Sequence, residues 1–416
     1  MNLFRVRLFI FLMATLSILT VNIYLPALPL LERALHTNNY SIGLTVSFYM
    51  LGLAIGIPLY GAISDHITKH KVLVSGLVIF IFANILAFIA TNILTLLIAR
   101  FVQGVGAAAA LCLWQVFAVT YFREKAKHII ASGFIIIGSM PALAPIIGGV
   151  ILSIANWRII FVFLIILTMV IILLACTLPD KPFQETRVNK QLVGKKVHFI
   201  SFVLGQYKVL VLDKTFMILT LSSAIVYSSI YMYLSQVPFL LNELHYQSHD
   251  ISLFFIPISV AFILGGILTK TLLHRDFPFK WLFLICVVGF VIGFIIALLE
   301  KLVHIKLSGF YIILPFFIMT FGSGLLMSVL VSNALSLQAA RVGTAASAIG
   351  VIQNLSAFIF SGIGAYLTKY HYNGLIITYG TLFVLLTIGF VLYCKWHRQL
   401  LIQSHLVITP IKTNDF

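Results

Sequence analysis

Arg100 and Gln103 stand one helical turn apart inside the apolar run 93–119, and Arg100 is the one charged side chain well inside such a run. A guanidinium at the centre of a membrane helix costs roughly 2.5 to 3.5 kcal/mol on insertion scales, so it is expected to face a cavity or a partner. Helical spacing aligns Arg100, Gln103, Ala107, Leu111 and Trp114 on one stripe, which reads as cavity-facing. The alternative is an arginine that snorkels to an interface or pairs with a carbonyl. Asn22, Tyr24, Gln115, Tyr227, Tyr231, Gln236, Asn333, Gln353 and Asn354 are the other polar or aromatic side chains inside apolar runs. Together with Arg100, Gln103 and Trp114 they could form a polar-aromatic pathway that orients a small molecule. For any one of them, packing or interface anchoring is the alternative.

Titratable groups are placed differently. All eleven acids, Glu32, Asp65, Glu124, Asp180, Glu185, Asp213, Glu243, Asp250, Asp276, Glu300 and Asp415, fall in loops or at the ends of apolar runs, and the histidines do likewise. Cys112, Cys176, Cys286 and Cys394 lie far apart without C-x-x-C spacing, so they read as small buried hydrophobes and not as a disulfide or metal set. No nucleophile–base pair, metal cluster or phosphate loop has catalytic spacing, which argues against an enzyme and against a cofactor.

The elements that must position these residues follow from composition. Of 416 residues, 61% are hydrophobic and 9% charged, with mean hydropathy +1.10, against roughly a quarter charged in a soluble domain. Such a chain belongs in a bilayer. Its net charge of +16 is dealt out between apolar runs, a pattern of membrane loops and not of a nucleic-acid surface. A span needs about 20 apolar residues, and runs of that kind fall at 8–30, 41–63, 72–92, 93–119, 129–152, 157–178, 215–241, 251–272, 280–300, 308–337, 343–368 and 372–394. Lipid offers the backbone no hydrogen bonds, so these must be helices. The first exceeds a signal-peptide core and has no small-residue cleavage site after it, so it reads as a retained span.

Twenty-one of the 27 Lys and Arg residues lie on the side of the N-terminus, five lie on the other side, and Arg100 lies between. The positive-inside rule then puts both termini in the cytoplasm. The lysine-rich stretch 179–214 holds "KKVHFISFVLGQYKVL", which resembles a helix lying on the inner membrane face; a solvated linker is the alternative. The expected organisation is a six-helix bundle over 1–178, the linker 179–214, a second six-helix bundle over 215–394 and a cytoplasmic tail 395–416, as in transporters built from repeats.

Four local patterns carry a resemblance. "GAISDHITKHKVL" (61–73) is similar to the loop motif G-x-L-x-D-R-x-G-R-K-x-x-L, with Gly61, Asp65, Lys69 and Leu73 in place, His66 and His70 at usually basic positions, and Thr68 replacing a glycine. "RFVQG" matches R-x-x-Q-G; "PALAPIIGG" (141–149) with "NWRIIF" looks like the antiporter motif of the fifth span; and "YLPALP" closes the first span. On these the chain is identified as resembling the major facilitator superfamily, and within it the Bcr/CflA-like, twelve-span drug:proton antiporters of the bacterial inner membrane.

The resemblance implies a gate. Asp65 would sit against the N-terminal end of the eleventh helix near Val342–Thr344, where about half a positive charge resides, flanked by Lys69 and Lys71; a solvated surface loop is the alternative. Pro141, Pro145, Gly148 and Gly149 would let the fifth helix bend and approach another closely, sealing the cavity in one state, or would serve ordinary close packing. Related antiporters bury an acid near the end of the first span, where this chain has Asn22, which cannot titrate.

With Arg100 lacking a buried acid, the expected substrate is a neutral or anionic small molecule. The preferred reading is export of a small amphipathic drug or metabolite. The alternatives are an organic-anion or carboxylate-siderophore carrier in either direction, and a non-transporting sensor that keeps the fold. If protons are coupled, the substrate itself, Glu32 or Asp65 could carry them. Membrane lipids are the expected surroundings, nucleic acid is not a partner, and a monomer is expected.

Overall fold

The computed structural model describes residues 3–64, 67–178, 209–275, 277–303, 308–338 and 342–407. Asp65, His66 and nearly all of the expected interfacial helix therefore lie outside the described residues. The twelve expected spans are all present as helices, with ends within a few residues of those read from the sequence. They are α1 (Leu3–Asn22), α2 (Asn39–Ser64), α3 (Lys69–Phe88), α4 (Ile93–Phe122), α5 (Ala126–Ile154) and α6 (Arg158–Thr177), then α7 (Lys214–Leu234), α8 (Phe255–Leu273), α9 (Phe279–Leu302), α10 (Gly309–Leu337), α11 (Val342–Leu367) and α12 (Tyr372–Val407). Short helices, Leu28–Ala34, Val237–Glu243 and Ser248–Leu253, extend α1 and α7 and lead into α8. The last helix runs on to Val407, beyond the span that sequence hydropathy ends near 394.

Glycine sets the closest helix crossings, and it does so alike in the two six-helix bundles. In the first, a Cβ on Gly104 of α4 would strike the Tyr49 carbonyl of α2, and one on Gly52 would strike that of Phe101. In the second, Gly324 of α10 backs onto the Phe262 carbonyl of α8 and Gly265 onto that of Phe321. Lipid tails are as apolar as leucine, so close van der Waals approach through small residues is what drives helices together here. The same device at spans two and four and at spans eight and ten is what an internal duplication would leave.

Between the bundles, α2 and α11 run antiparallel. Contacts begin at Tyr40 with Tyr366 (ring centroids 6.0 Å) and continue through Ser47 Oγ to Ser361 Oγ (2.8 Å) and Phe48 to Phe358 (6.3 Å). They reach Ile57 and Gly350. Among the described residues, added Cβ atoms at Gly61 and Gly343 would meet nothing within 4 Å, so the described parts of α2 and α11 are closed at one end and parted at the other, which carries most of the lysines and arginines. At the closed end α5 adds a second seam, with Gly148 against the Ile23 carbonyl and Gly149 against Ser252. Arg33 Nη2 donates to Asn242 Oδ1 across the same end at 3.3 Å.

Candidate substrate-pathway site

Four helices assemble around Arg100. α4 presents the guanidinium about 10 Å below its start at Ile93, at 1.5 Å per residue, and the side chain is wholly buried. Its Nε donates to the Thr45 carbonyl of α2 at 3.4 Å, and its Nη1 donates to Gln103 Oε1. Gln103 Nε2 then donates to Asn84 Oδ1 of α3 at 2.7 Å, and Asn84 Nδ2 to the Phe80 carbonyl at 2.7 Å. The guanidinium carbon stands over the rings of Tyr24 (4.5 Å) and Tyr49 (4.6 Å), so two aromatic faces flank the charge. Desolvated cation–π contacts are worth about 2 kcal/mol or more.

The two tyrosines are themselves held. Thr45 Oγ1 donates to the Ile42 carbonyl at 2.5 Å, which leaves its oxygen to accept from the Tyr24 hydroxyl at 3.1 Å. Tyr49 Oη donates to the Ser17 carbonyl of α1 at 2.8 Å. One donor remains over: Arg100 Nη2 is buried with no hydrogen-bond partner. Among the described residues no carboxylate pairs with this arginine; the two ion pairs are His249–Asp250 and His371–Glu243.

The expected residues divide into those gathered here and those elsewhere. Arg100, Gln103 and Tyr24 belong to the cluster. Tyr227 and Tyr231 pair with each other, hydroxyl to hydroxyl at 3.3 Å. Asn22 is buried two residues before Tyr24, but its amide donates back to the Ile18 carbonyl at 2.7 Å. Trp114 is buried against Phe134 of α5, about 21 Å along α4 from Arg100, and Gln115 beside it is exposed.

In the second bundle, Gln353 of α11 donates to Ser223 Oγ of α7 at 3.1 Å. Asn354 is buried and donates to the Gly350 carbonyl, while its Oδ1 has no partner. Gln236 is buried and donates to Thr378 Oγ1 of α12 at 2.7 Å. Asn333 is half-buried on α10.

The expected gate residues fall at opposite ends. Pro141 and Pro145 lie in an unbroken α5, and Gly148 and Gly149 sit at the closed-end seam already described. Gly61, half-buried Lys69 and exposed Lys71 lie at the parted end. Nearby, His70 stacks edge-on with Phe117 at 4.9 Å. Glu32, one of the sequence candidates for a proton, is half-buried at the closed end.

Sequence reasoning missed Thr45, Tyr49 and Asn84. Thr45 and Tyr49 are one turn apart on α2 and Asn84 is a lone amide in an apolar run, signals visible once Arg100 demands acceptors. It also placed Glu300 with the terminal acids, whereas this side chain is 4% exposed and accepts from the Tyr372 hydroxyl at 2.5 Å.

Comparison with known proteins bears on the family and the fold. The profile of the Major Facilitator Superfamily matches residues 10–361. An uncharacterized MFS-type transporter of Bacillus subtilis, YdgK, is 26% identical over 358 residues, 84% of this chain and 85% of that protein. The chloramphenicol resistance protein CraA of Acinetobacter baumannii is 25% identical over 330 residues, 79% of this chain and 77% of that one. Among solved structures, a D-xylose-proton symporter superposes with a TM-score of 0.76 over 94% of this chain and 97% of that chain at 17% identity, a likeness of fold.

Proposed function

We propose that this chain, which belongs to the major facilitator superfamily of membrane transporters, exports a small amphipathic drug or metabolite that is neutral or anionic. The observation that carries the reading is Arg100: a fixed cation with one buried, unpartnered donor and no acid beside it among the described residues. A site so charged repels a hydrophobic cation and has a hydrogen bond to give to a carbonyl, hydroxyl or carboxylate oxygen. The resistance proteins among the relatives support the efflux direction.

With both termini in the cytoplasm, as the distribution of basic residues indicates, the closed end is external and the parted end opens to the cytoplasm. The two bundles, 1–178 and 215–394, then rock about the α2–α11 and α5–α8 seams to expose the site alternately. Asp65 would hold the parted end in the opposite state, and Pro141, Pro145, Gly148 and Gly149 the closed end in this one. Carriage of an organic anion or carboxylate siderophore is the second reading, and the same unpartnered Arg100 donor favours it.

Proteoliposomes with an imposed pH gradient separate the readings. Movement of chloramphenicol, which is uncharged, with no movement of a quaternary cation supports the first. Preferential movement of a carboxylate supports the second. Transport of the cation with Arg100 intact would sink both.

A further inference from the structure

Glu300 is, with Arg100, one of two buried acidic or basic side chains among the described residues, and the pathway around Arg100 does not use it. It lies two residues before the end of α9, in a region walled by α7, α10 and α12. Tyr372 donates to its Oε2 at 2.5 Å; its Oε1 is buried and unpartnered. The Tyr233 hydroxyl and Gln236 Oε1, both from the end of α7, are likewise buried and unpartnered. Tyr233 stacks on Phe316 of α10 at 3.6 Å, and Phe316 on Tyr379 of α12 at 6.3 Å. Tyr379 is an electrostatic neighbour of Tyr233, Tyr372 and Glu300.

The charges available to it are few. On its own helix Lys301 is exposed. Just before α12, His371 turns to Glu243 at 2.9 Å. α10 has no acidic or basic side chain, and its phenol Tyr311 packs on Phe310. From α7 come only Tyr233 and, after its end, Gln236. Among the described residues, then, no cation meets Glu300. A buried carboxylate with one neutral donor and a bare oxygen is unfavourable, whereas a neutral carboxylic acid has no charge to desolvate.

The end of α7 lies between the residues around Glu300 and the seam between the bundles. On one side it offers Tyr233 and Gln236. On the other, Gly364 of α11 backs onto the Met232 carbonyl, and Gly43 of α2 lies close to the Ser235 carbonyl. One short stretch, Met232–Gln236, therefore borders both the seam and the residues around Glu300. We infer that Glu300, with Tyr372, is a proton-binding site: occupied while the closed end stays shut, and emptied into water at that end, as carboxylate and a released proton, when it opens. The inference rests on the alternation proposed above. By linkage, the shut form holds one more proton than the open form, so raising pH at that end favours opening.

Two measurements test this. Infrared spectra at neutral pH should contain a carboxylic-acid carbonyl band that E300Q removes and Y372F shifts. Absence of such a band would overturn the site. Spin labels at Ala34→Cys and Tyr370→Cys, both exposed, in a chain whose four cysteines are replaced, report opening of this end. The open-to-shut ratio should rise with pH by up to about tenfold per unit, the limit for one proton, with Y372F moving the midpoint and E300Q flattening the profile. A slope retained in full by E300Q overturns the inference and leaves transport standing. A distance that stays fixed at every pH and with every solute overturns the linkage and the transport reading together.

Discussion

Among the described residues, each bundle buries one acidic or basic side chain, and the two support it by opposite means. Arg100 in the first is surrounded by the Thr45 carbonyl, the Gln103 amide oxygen and the faces of Tyr24 and Tyr49. Glu300 in the second has one phenol. A guanidinium cannot lose its charge in a protein, so the fold must supply acceptors and electron-rich rings wherever it is buried. A carboxyl can take up a proton and become neutral, so a thin set of partners suffices. The bundles share their glycine crossings and differ in these polar interiors, which suggests that the duplicated scaffold is fixed and the charge chemistry is what each half varies.

The largest effects are expected at the shared crossings. Gly104→Leu and Gly324→Leu each force a side chain into a backbone carbonyl, an overpacking cost of several kcal/mol. Both should abolish the folded protein on fluorescence-detected gel filtration, and survival of only one would deny that the crossings are equivalent. Next comes Arg100→Gln, which removes the charge and both ring contacts and should lower transport by about 100-fold at near-normal expression, since roughly 3 kcal/mol of charge-assisted bonding is lost.

Gln103→Leu or Asn84→Leu breaks the relay behind the arginine. Loss of one buried partner, about 1 to 3 kcal/mol, predicts roughly tenfold weaker transport, with the two substitutions less than additive because they interrupt one chain. Ser47→Ala removes a single hydroxyl pair across the seam. At about 0.5 to 1.5 kcal/mol it should raise the open fraction of the closed end two- to tenfold in the spin-label assay. Gln115→Ala is the smallest change: it is exposed and distant from Arg100, and transport should stay within about twofold of wild type.

Much of the fold was legible because the bilayer imposes a length on each helix and leaves few charges to confuse it. Arg100 was legible as a charge out of place, and Tyr24 and Gln103 followed from helical spacing and the end of the first span. What sequence could not give was partnership across helices. The acceptor for Arg100 Nε is a main-chain carbonyl 55 positions away, and carbonyls carry no residue identity. Glu300 closes an apolar run just as an exposed terminal acid would; its burial depends on Tyr372, 72 positions later. Asp65 stays an expectation drawn from its motif, since it lies outside the described residues.

The parting of α2 and α11 beyond Ile57 and Gly350 has a practical consequence. Because an added Cβ at Gly61 or Gly343 meets no described atom within 4 Å, a tryptophan placed there is expected to obstruct that mouth when it tries to shut. Such a wedge would jam the molecule in one posture without touching the cargo, and so trap it for crystals, antibodies or inhibitor screens.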